Sequence, residues 1–301
     1  MLLGLHTYSL NLHGIGQAWA GFTLPWPRQI STFDLLDMAA SLDLDGFHID
    51  DGVLENLDSG YVKEVGVEAK KRGLYLEYNF SLDFDGQGIG IQHDLGEAIK
   101  TAHDLGSDVV KMSMDIKRPR PVSGSRFHRQ VVKKMRHVED IVRSRLSMAE
   151  NLGVRIALEN HCDSFSEEIL WLLDKIGHPY FGACIDTVNA LMVMEDPMTA
   201  ITNLAPRAFT NHFRDDMIRF ERYGFSLIGT SVGEGDIDMN GAYQIFREKS
   251  GMKRINIETE MNIPLDDMET ALALEIDAVK RSVLYCRDVL GIAEEPGDRY
   301  V

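Results

Sequence analysis

Short apolar runs alternate with longer amphipathic stretches along the chain, and the alternation predicts a strand followed by a helix eight times. Residues 2–7 read as the first strand. Ser31 is placed to cap a helix over 32–42, whose apolar residues recur at helical spacing. Further strands are expected at 46–50, 74–79, 108–113, 155–159, 181–186, 209–212 and 254–258. The helices between and after them fall near 59–72, 91–105, 128–152 and 166–176, just after Pro197, and at 239–249 and 266–289. Gly73, Gly106 and Gly153 each stand just before a strand run, where a left-handed residue ends a helix at no Cβ penalty.

Strands this apolar have no face for water, so eight such units favour a parallel closed (β/α)8 TIM barrel over a doubly wound open sheet. One domain over residues 1–301 is expected. Where the polar residues fall supports the barrel: His6, His48, Glu77, Lys111, Glu159, Asp186, His212 and Glu258 stand at or near strand C-terminal ends, where barrel enzymes carry their chemistry. The last four can each bind a divalent cation and are spaced 27, 26 and 46 residues apart. Those intervals suit successive βα units, so the four would converge on one mouth. Two connections look longer than joining requires. Residues 11–30 carry Trp19, Phe22 and Trp26, and residues 214–238 contain the turn-rich Gly229-Thr-Ser-Val-Gly-Glu-Gly-Asp236; both read as loops that build or cover a pocket.

Composition narrows the partners. Lys plus Arg number 31 against 47 Asp plus Glu, a net charge of −16 that repels phosphate backbones and anionic membrane surfaces. Nucleic acid and membrane are excluded as expected partners. Cys162, Cys184 and Cys286 are odd in number, show no CxxC spacing and lie in apolar runs, as in a reducing compartment. With no signal peptide and no long apolar run, a cytoplasmic location is expected.

Five segments, Ala157-Leu-Glu-Asn-His161, Ile185-Asp-Thr-Val-Asn189, Asn211-His-Phe-Arg-Asp215, Gly233-Glu-Gly-Asp-Ile-Asp238 and Ile257-Glu-Thr259, stand in order at barrel spacing. Together they resemble the xylose isomerase-like barrel superfamily, the sugar phosphate isomerase/epimerase group that includes endonuclease IV relatives. The likeness spans nearly the whole chain. It implies one divalent cation held by Glu159, Asp186, His212 and Glu258, and a homo-oligomer. Three carboxylates and one imidazole suit Mn²⁺ first, with Mg²⁺, Co²⁺ or Zn²⁺ as alternatives.

Such a cation would polarise a carbonyl and stabilise an enediolate, with Glu159 and Glu258 as bases on opposite faces of a keto sugar or keto polyol. An isomerase or epimerase is the simplest reading. A lyase of the same superfamily would keep the metal and base and expel a leaving group from the enolate. A non-catalytic binding subunit and a phosphodiesterase are less favoured, because the ligand set is intact and the chain acidic. His161 is either a partner that steadies Glu159 or an acid or base acting on substrate. Lys111 either points into the mouth or pairs with a carboxylate in the core. His6, His48, Asn189, Arg214 and Glu260 are candidate substrate contacts, Arg214 toward a carboxylate, a phosphate or a structural aspartate. Asn189 and His48 depart from the family pattern, which commonly places a histidine and a glutamate there. Trp19 and Trp26 either stack on a sugar ring or pack the loop.

Overall fold

The structure, a computed structural model, describes residues 1–16, 24–85 and 91–292. Eight parallel strands close into a barrel in the order β1-β10-β7-β6-β5-β4-β3-β2, with helices outside. The barrel strands are β1 (Leu2–His6), β2 (Gly46–Asp50), β3 (Tyr75–Ser81), β4 (Val109–Ser113), β5 (Arg155–Glu159), β6 (Phe181–Asp186), β7 (Ala208–Arg214) and β10 (Arg254–Glu258). The helices are α1 (Thr32–Ser41), α2 (Ser59–Lys71), α3 (Leu95–Leu105), α4 (Arg129–Leu152), α5 (Ser166–Ile176), α6 (Pro197–Leu204), α7 (Met239–Lys249) and α8 (Met268–Leu284). This is the expected (β/α)8 TIM barrel. Among the described residues no helix is long and apolar enough to cross a membrane.

Local chemistry sets the boundaries. Ser31 caps α1 in a reciprocal box: its hydroxyl accepts from the Asp34 amide at 3.1 Å, and the Asp34 carboxylate accepts from the Ser31 amide at 2.8 Å. Gly73, Gly106 and Gly153 all adopt positive φ at helix ends, as their placement before strands predicts. Some predicted bounds move: α3 starts at Leu95 rather than 91, β3 and β7 run on to Ser81 and Arg214 rather than 79 and 212, and beyond Leu284 the last helix loosens into one π turn over Tyr285–Val289.

The larger correction lies at 214–238. Part of that predicted loop is an antiparallel ribbon, β8 (Asp216–Glu221) and β9 (Gly224–Gly229), standing outside the barrel. Its root is tied to the segment after β10 by a bridge between Gly229 and Met261. A Cβ on Gly229 would lie 2.0 Å from the Glu260 carbonyl oxygen, so only glycine lets the two backbones approach. In the other long connection, Trp26 donates its ring N–H to the Leu12 carbonyl at 2.9 Å, so it packs the loop. Trp19 and Phe22 lie outside the described residues.

The main apolar core lies between sheet and helices, while the barrel interior is unusually polar. A small apolar plug of Val109, Ala157 and Cys184 fills one side of it. Opposite, Tyr75 occupies the space left by Gly4 and Gly46; a Cβ on Gly4 would meet the Tyr75 hydroxyl at 2.0 Å. That hydroxyl donates to Asn256 Oδ1 at 2.7 Å, and Arg254 lies 4.7 Å over the ring. Above it, buried Glu77 accepts from Arg254 Nη1 at 3.0 Å, Asn256 Nδ2 at 2.9 Å and the Thr210 hydroxyl, which offsets the cost of a charge inside the barrel.

Gly4→Ala therefore overpacks the barrel floor. Urea unfolding should show a loss of about 1–3 kcal/mol with an unchanged m-value. An unchanged midpoint would mean that Tyr75 is not what fills this space.

Candidate metal centre and active site

Strand alternation turns every second side chain inward, and the C-terminal ends of β5, β6, β7 and β10 thereby bring Glu159, Asp186, His212 and Glu258 together. His212 Nδ1 lies 3.0 Å from Glu159 Oε1, 3.2 Å from Glu258 Oε2 and 4.0 Å from Asp186 Oδ2. All four are buried. Ligand atoms of Glu159, Asp186 and His212 lie within 4.8 Å of one another, close enough to share one ion, and Glu258 approaches the same imidazole nitrogen.

The flanking motif residues fix the backbone that carries these ligands. Asn160 clamps β5 to β6, accepting from the Asp186 amide at 2.8 Å and donating to the Asp186 carbonyl at 3.0 Å. Asp186 Oδ1 accepts from the amides of Val188 and Asn189, both at 2.7 Å, which leaves Oδ2 facing His212. The Thr187 hydroxyl donates to the Arg214 carbonyl at 2.5 Å and accepts from its amide at 2.9 Å, pinning the end of β7. Asp215 accepts from Gly233 and Gly235 at 2.9 Å and from Ile237 at 3.2 Å. Its carboxylate explains the second glycine of Gly-x-Gly, since a Cβ on Gly235 would lie 2.2 Å from Asp215 Oδ1, while Gly233 is required by its φ of +91° and the Tyr285 ring.

Each outer carboxylate is backed by a cation from a neighbouring strand. Lys111 on β4 makes an ion pair with Glu159 Oε2, and His6 Nδ1 on β1 lies 2.9 Å from Glu258 Oε1. Burial opposes the charge on both glutamates. Lys111 and His212 nevertheless hold Glu159, and His212 and His6 hold Glu258, well below the usual carboxylate range. Asp186 behaves oppositely: burial pushes it up to about 6, and the neighbouring glutamates add to the rise. His6 reaches Asp50 through Nε2 at 3.2 Å; burial alone would lower it, but Asp50 and Glu258 raise it to about 10.

On the opposite wall, His161 Nδ1 pairs with Asp115 Oδ1 at 2.8 Å. Burial disfavours the imidazolium, yet the neighbouring Cys162, Glu159 and Asp115 raise His161 well above its ordinary value. Asp115 also accepts from the Ser113 hydroxyl at 2.9 Å and from Ser81, and is held down to about 2 against its burial, chiefly by His161.

A chamber of about 80 Å³ opens above the cluster, and of the eleven residues expected to form the site, all but His48 line it. His48 is the correction. It is 0% exposed, lies one layer beneath, and packs edge-on against His6 and His212 at 5.1 and 4.9 Å between ring centroids. Burial and the positive charges of His212, His6 and Lys111 keep it neutral. Arg214 takes the structural option: Nε lies 3.0 Å from Asp216 Oδ1 and Nη2 lies 2.7 Å from Glu260 Oε2. Asn189 donates to Glu159 Oε1 at 3.5 Å and accepts from the Cys162 thiol at 3.3 Å. Cys162 is half-buried in the wall, unlike fully buried Cys184 and Cys286.

The reading from sequence passed over Asp50, Asn79, Asp115 and Tyr8. Asp50 carried a usable signal, since it stands two past His48 on the same face of β2. The donor set fits a divalent cation. Asp50, Glu159, Asp186 and Glu258 crowd around His6, Lys111 and His212, Glu258 Oε2 has no hydrogen bond although it lies beside His212 Nδ1, and a cation would relieve their mutual repulsion.

The xylose isomerase-like TIM barrel family model matches residues 36–281, and the chain belongs to that family. It is 25% identical over 162 residues to the 3-oxo-isoapionate decarboxylase of Pectobacterium atrosepticum, covering 53% of this chain and 58% of that protein. The chain thus spans little more than half the length of that curated relative. Among solved structures it is similar to the IOLI protein with a bound zinc atom, at 14% identity and TM-score 0.65, over 94% of this chain and 97% of that one. A D-psicose 3-epimerase determined with D-fructose gives 12% identity and TM-score 0.65 over 97% and 100%. At such identities the solved structures establish the fold alone.

The His6 geometry has a measurable consequence in metal-free protein. Its folded pKa of about 10 lies above the unfolded value near 6.5, so its stabilisation is fully present below about pH 6.5 and lost as pH rises through 10. Denaturation of chelator-treated protein should show stability falling over that window, with a shallower fall in His6→Asn. Equal slopes in the two proteins would remove His6 as the cause.

Proposed function

We propose that the protein is a divalent-metal-dependent isomerase or epimerase of a keto sugar or keto polyol, working by proton abstraction through an enediolate. The observation that carries this is the approach of Glu159 and Glu258 to one imidazole nitrogen from two strands, with Asp186 completing the set at the floor of a chamber. Glu159, Asp186, His212 and Glu258 would hold the ion, Mn²⁺ in the first instance. When bound, the cation supplies positive charge that polarises a carbonyl and acidifies the neighbouring C–H.

The chain's own residues then divide the work. Lys111 keeps Glu159 ionised. Glu258, backed by His6, takes the proton, and Asn189 and Lys111 orient the hydroxyls beside the reacting carbon. The family membership and the sugar-modifying relatives support an enzyme of this type. The acidic surface supports a small-molecule substrate rather than a nucleic acid. The three free thiols suit the cytoplasm, and a homo-oligomer built from a single domain over residues 1–301 completes the reading.

One observation favours a second outcome. The His161–Asp115 pair places an acid on the wall across from His6, where it could protonate a leaving group. Elimination would then follow from the same enolate, whereas a β-keto acid would form that enolate by losing CO₂ and leave the pair to protonate it at carbon; the decarboxylase among the relatives fits the latter branch.

Protein carrying Mn²⁺ and incubated with keto sugars in D₂O should exchange a carbon-bound proton, visible by NMR. Glu258→Gln should lower the exchange rate by at least about a hundredfold while retaining part of the metal. Purified protein with no divalent cation, and stability indifferent to chelator, would overturn the reading; full exchange in Glu258→Gln would take the base role from that residue alone.

A further inference from the structure

The ribbon outside the barrel is amphipathic. Residues opposite one another in an antiparallel pair share a face, so the register of β8 and β9 sorts their side chains. One face carries Asp216 and Gly229 at the root and then only Ile218, Leu227, Phe220 and Phe225. The other carries Arg219, Glu221 and Ser226 beyond Met217 and Ile228, and its polar groups satisfy one another: Glu221 Oε1 lies 3.0 Å from Arg219 Nε and accepts from the Ser226 hydroxyl at 3.0 Å. The second face suits water and the first does not.

The root of the ribbon is supported by its own chain. Arg214 Nε lies 3.0 Å from Asp216, the Ile218 amide donates to Asp236 Oδ2 at 2.6 Å, and Ile218 and Leu227 are half-buried. The outer half has no such support. Phe220 is 86% exposed and Phe225 57%, Tyr223 at the tip is 88% exposed, and none of the three belongs to the apolar core of the described residues. A two-stranded ribbon is at best marginally stable alone in water, and uncovered aromatic rings at its end mark a surface that another molecule covers.

Charge selects the cover. The chain carries a net charge of −16, so two copies repel wherever their general surfaces meet. Along the ribbon the charges cancel, Asp216 and Glu221 against Arg219 and Arg222, and the one charged residue of the apolar face, Asp216, is already paired with Arg214. The ribbon is thus where two like-charged copies approach at the least Coulombic cost, whereas a basic partner would gain nothing from it. The face is also complementary to itself, because an uncharged stripe meets its own image about a two-fold axis without bringing like charges together. Aromatic side chains that bury ~150–250 Å² each, three per copy, supply about half of the ~800 Å² that a standard interface takes from each partner.

We propose that the apolar face of the ribbon is a homodimer contact, in which the Ile218, Phe220, Phe225 and Leu227 stripe of one copy packs on the same stripe of a second copy about a two-fold axis. This rests on the homo-oligomer in the reading above and names the surface that forms it. The two ribbons stack as small sheets about 10 Å apart, the phenyl rings of one copy interleaved with those of the other.

Sedimentation velocity on the full chain tests the assignment. The wild type should sediment as a dimer. Phe220→Glu and Phe225→Glu should each raise the dimer dissociation constant at least about a hundredfold, since each encloses a pair of unpaired carboxylates beside the axis. Leu284→Glu, at an apolar position of α8 that is 58% exposed, should leave it unchanged. Mixing Phe220→Glu with Phe220→Lys, each monomeric by itself, should restore a heterodimer, which a misfolded variant would not do. A monomeric wild type, a dimer that survives Phe220→Glu, dissociation by Leu284→Glu instead, or no heterodimer from the mixed variants would overturn the proposal. Deuterium exchange from a keto sugar, read on the same samples, keeps this proposal apart from the proposed reaction. Exchange by a monomer removes the ribbon contact and leaves the enolate chemistry; a ribbon-dependent dimer with no exchange does the reverse.

Discussion

The rest of the structure is arranged around one electrostatic constraint: several carboxylates are enclosed at one end of a closed barrel, where each needs a compensating charge. Isolated ions in such a place cost several kcal/mol each, and the cost is met only if partners are close and well oriented. Lys111, His6 and His212 stand among Glu159, Glu258 and Asp186 for that reason, and Asp50 answers the far nitrogen of His6. A closed parallel sheet can supply these partners because neighbouring strands end at the same mouth. An open sheet would bring fewer strand ends to one point.

The same constraint explains residues that touch no candidate ligand. Asn160, Thr187 and Asp215 spend their polar groups on backbone amides and carbonyls, fixing where β5, β6 and β7 end. Were those ends free to slide, the ion pairs they carry would lengthen and the buried carboxylates would lose their compensation. Arg214 extends the scheme outward. By joining Asp216 to Glu260 it makes the position of the ribbon depend on the strands that hold the metal candidates.

Most of this was legible in the chain because a barrel couples sequence to position simply. An apolar run ending in an ionisable residue gives both a strand and its mouth-facing end, which is how Glu159, Asp186, His212 and Glu258 were found. What periodicity cannot give is height. His48 faces inward as expected, yet it lies a layer too deep, because the stagger between strands and not the alternation along them sets the level. Asp115 was hidden for another reason: it stands two residues past β4 in a left-handed conformation and pairs with a histidine on the next barrel strand's loop. The ribbon escaped notice because its strands are exposed for much of their length, β8 carries charges among its apolar residues, and the two meet at Arg222-Tyr223, without an Asn-Gly or Asp-Gly turn.

The two glutamates that flank His212 look equivalent in sequence, but their supports are not. Both carboxylates are held well below the usual range, but Lys111 is an ammonium fixed on Glu159 that accepts no hydrogen bond and so joins Glu159 to no further group. His6 has two faces, Nδ1 on Glu258 and Nε2 on Asp50, with Asn79 and the Thr7 hydroxyl holding Asp50 in turn. A proton taken up by Glu258 therefore meets an imidazole already joined to a further carboxylate, so charge can redistribute along the row without water entering the chamber. In the proposed reaction this asymmetry assigns proton traffic to the Glu258 side and leaves Glu159 as an anchor. The His161–Asp115 pair lies across the chamber from that traffic, so it meets the substrate on the face the base does not use, and the choice between returning a proton to carbon and releasing a leaving group falls to what the substrate presents there.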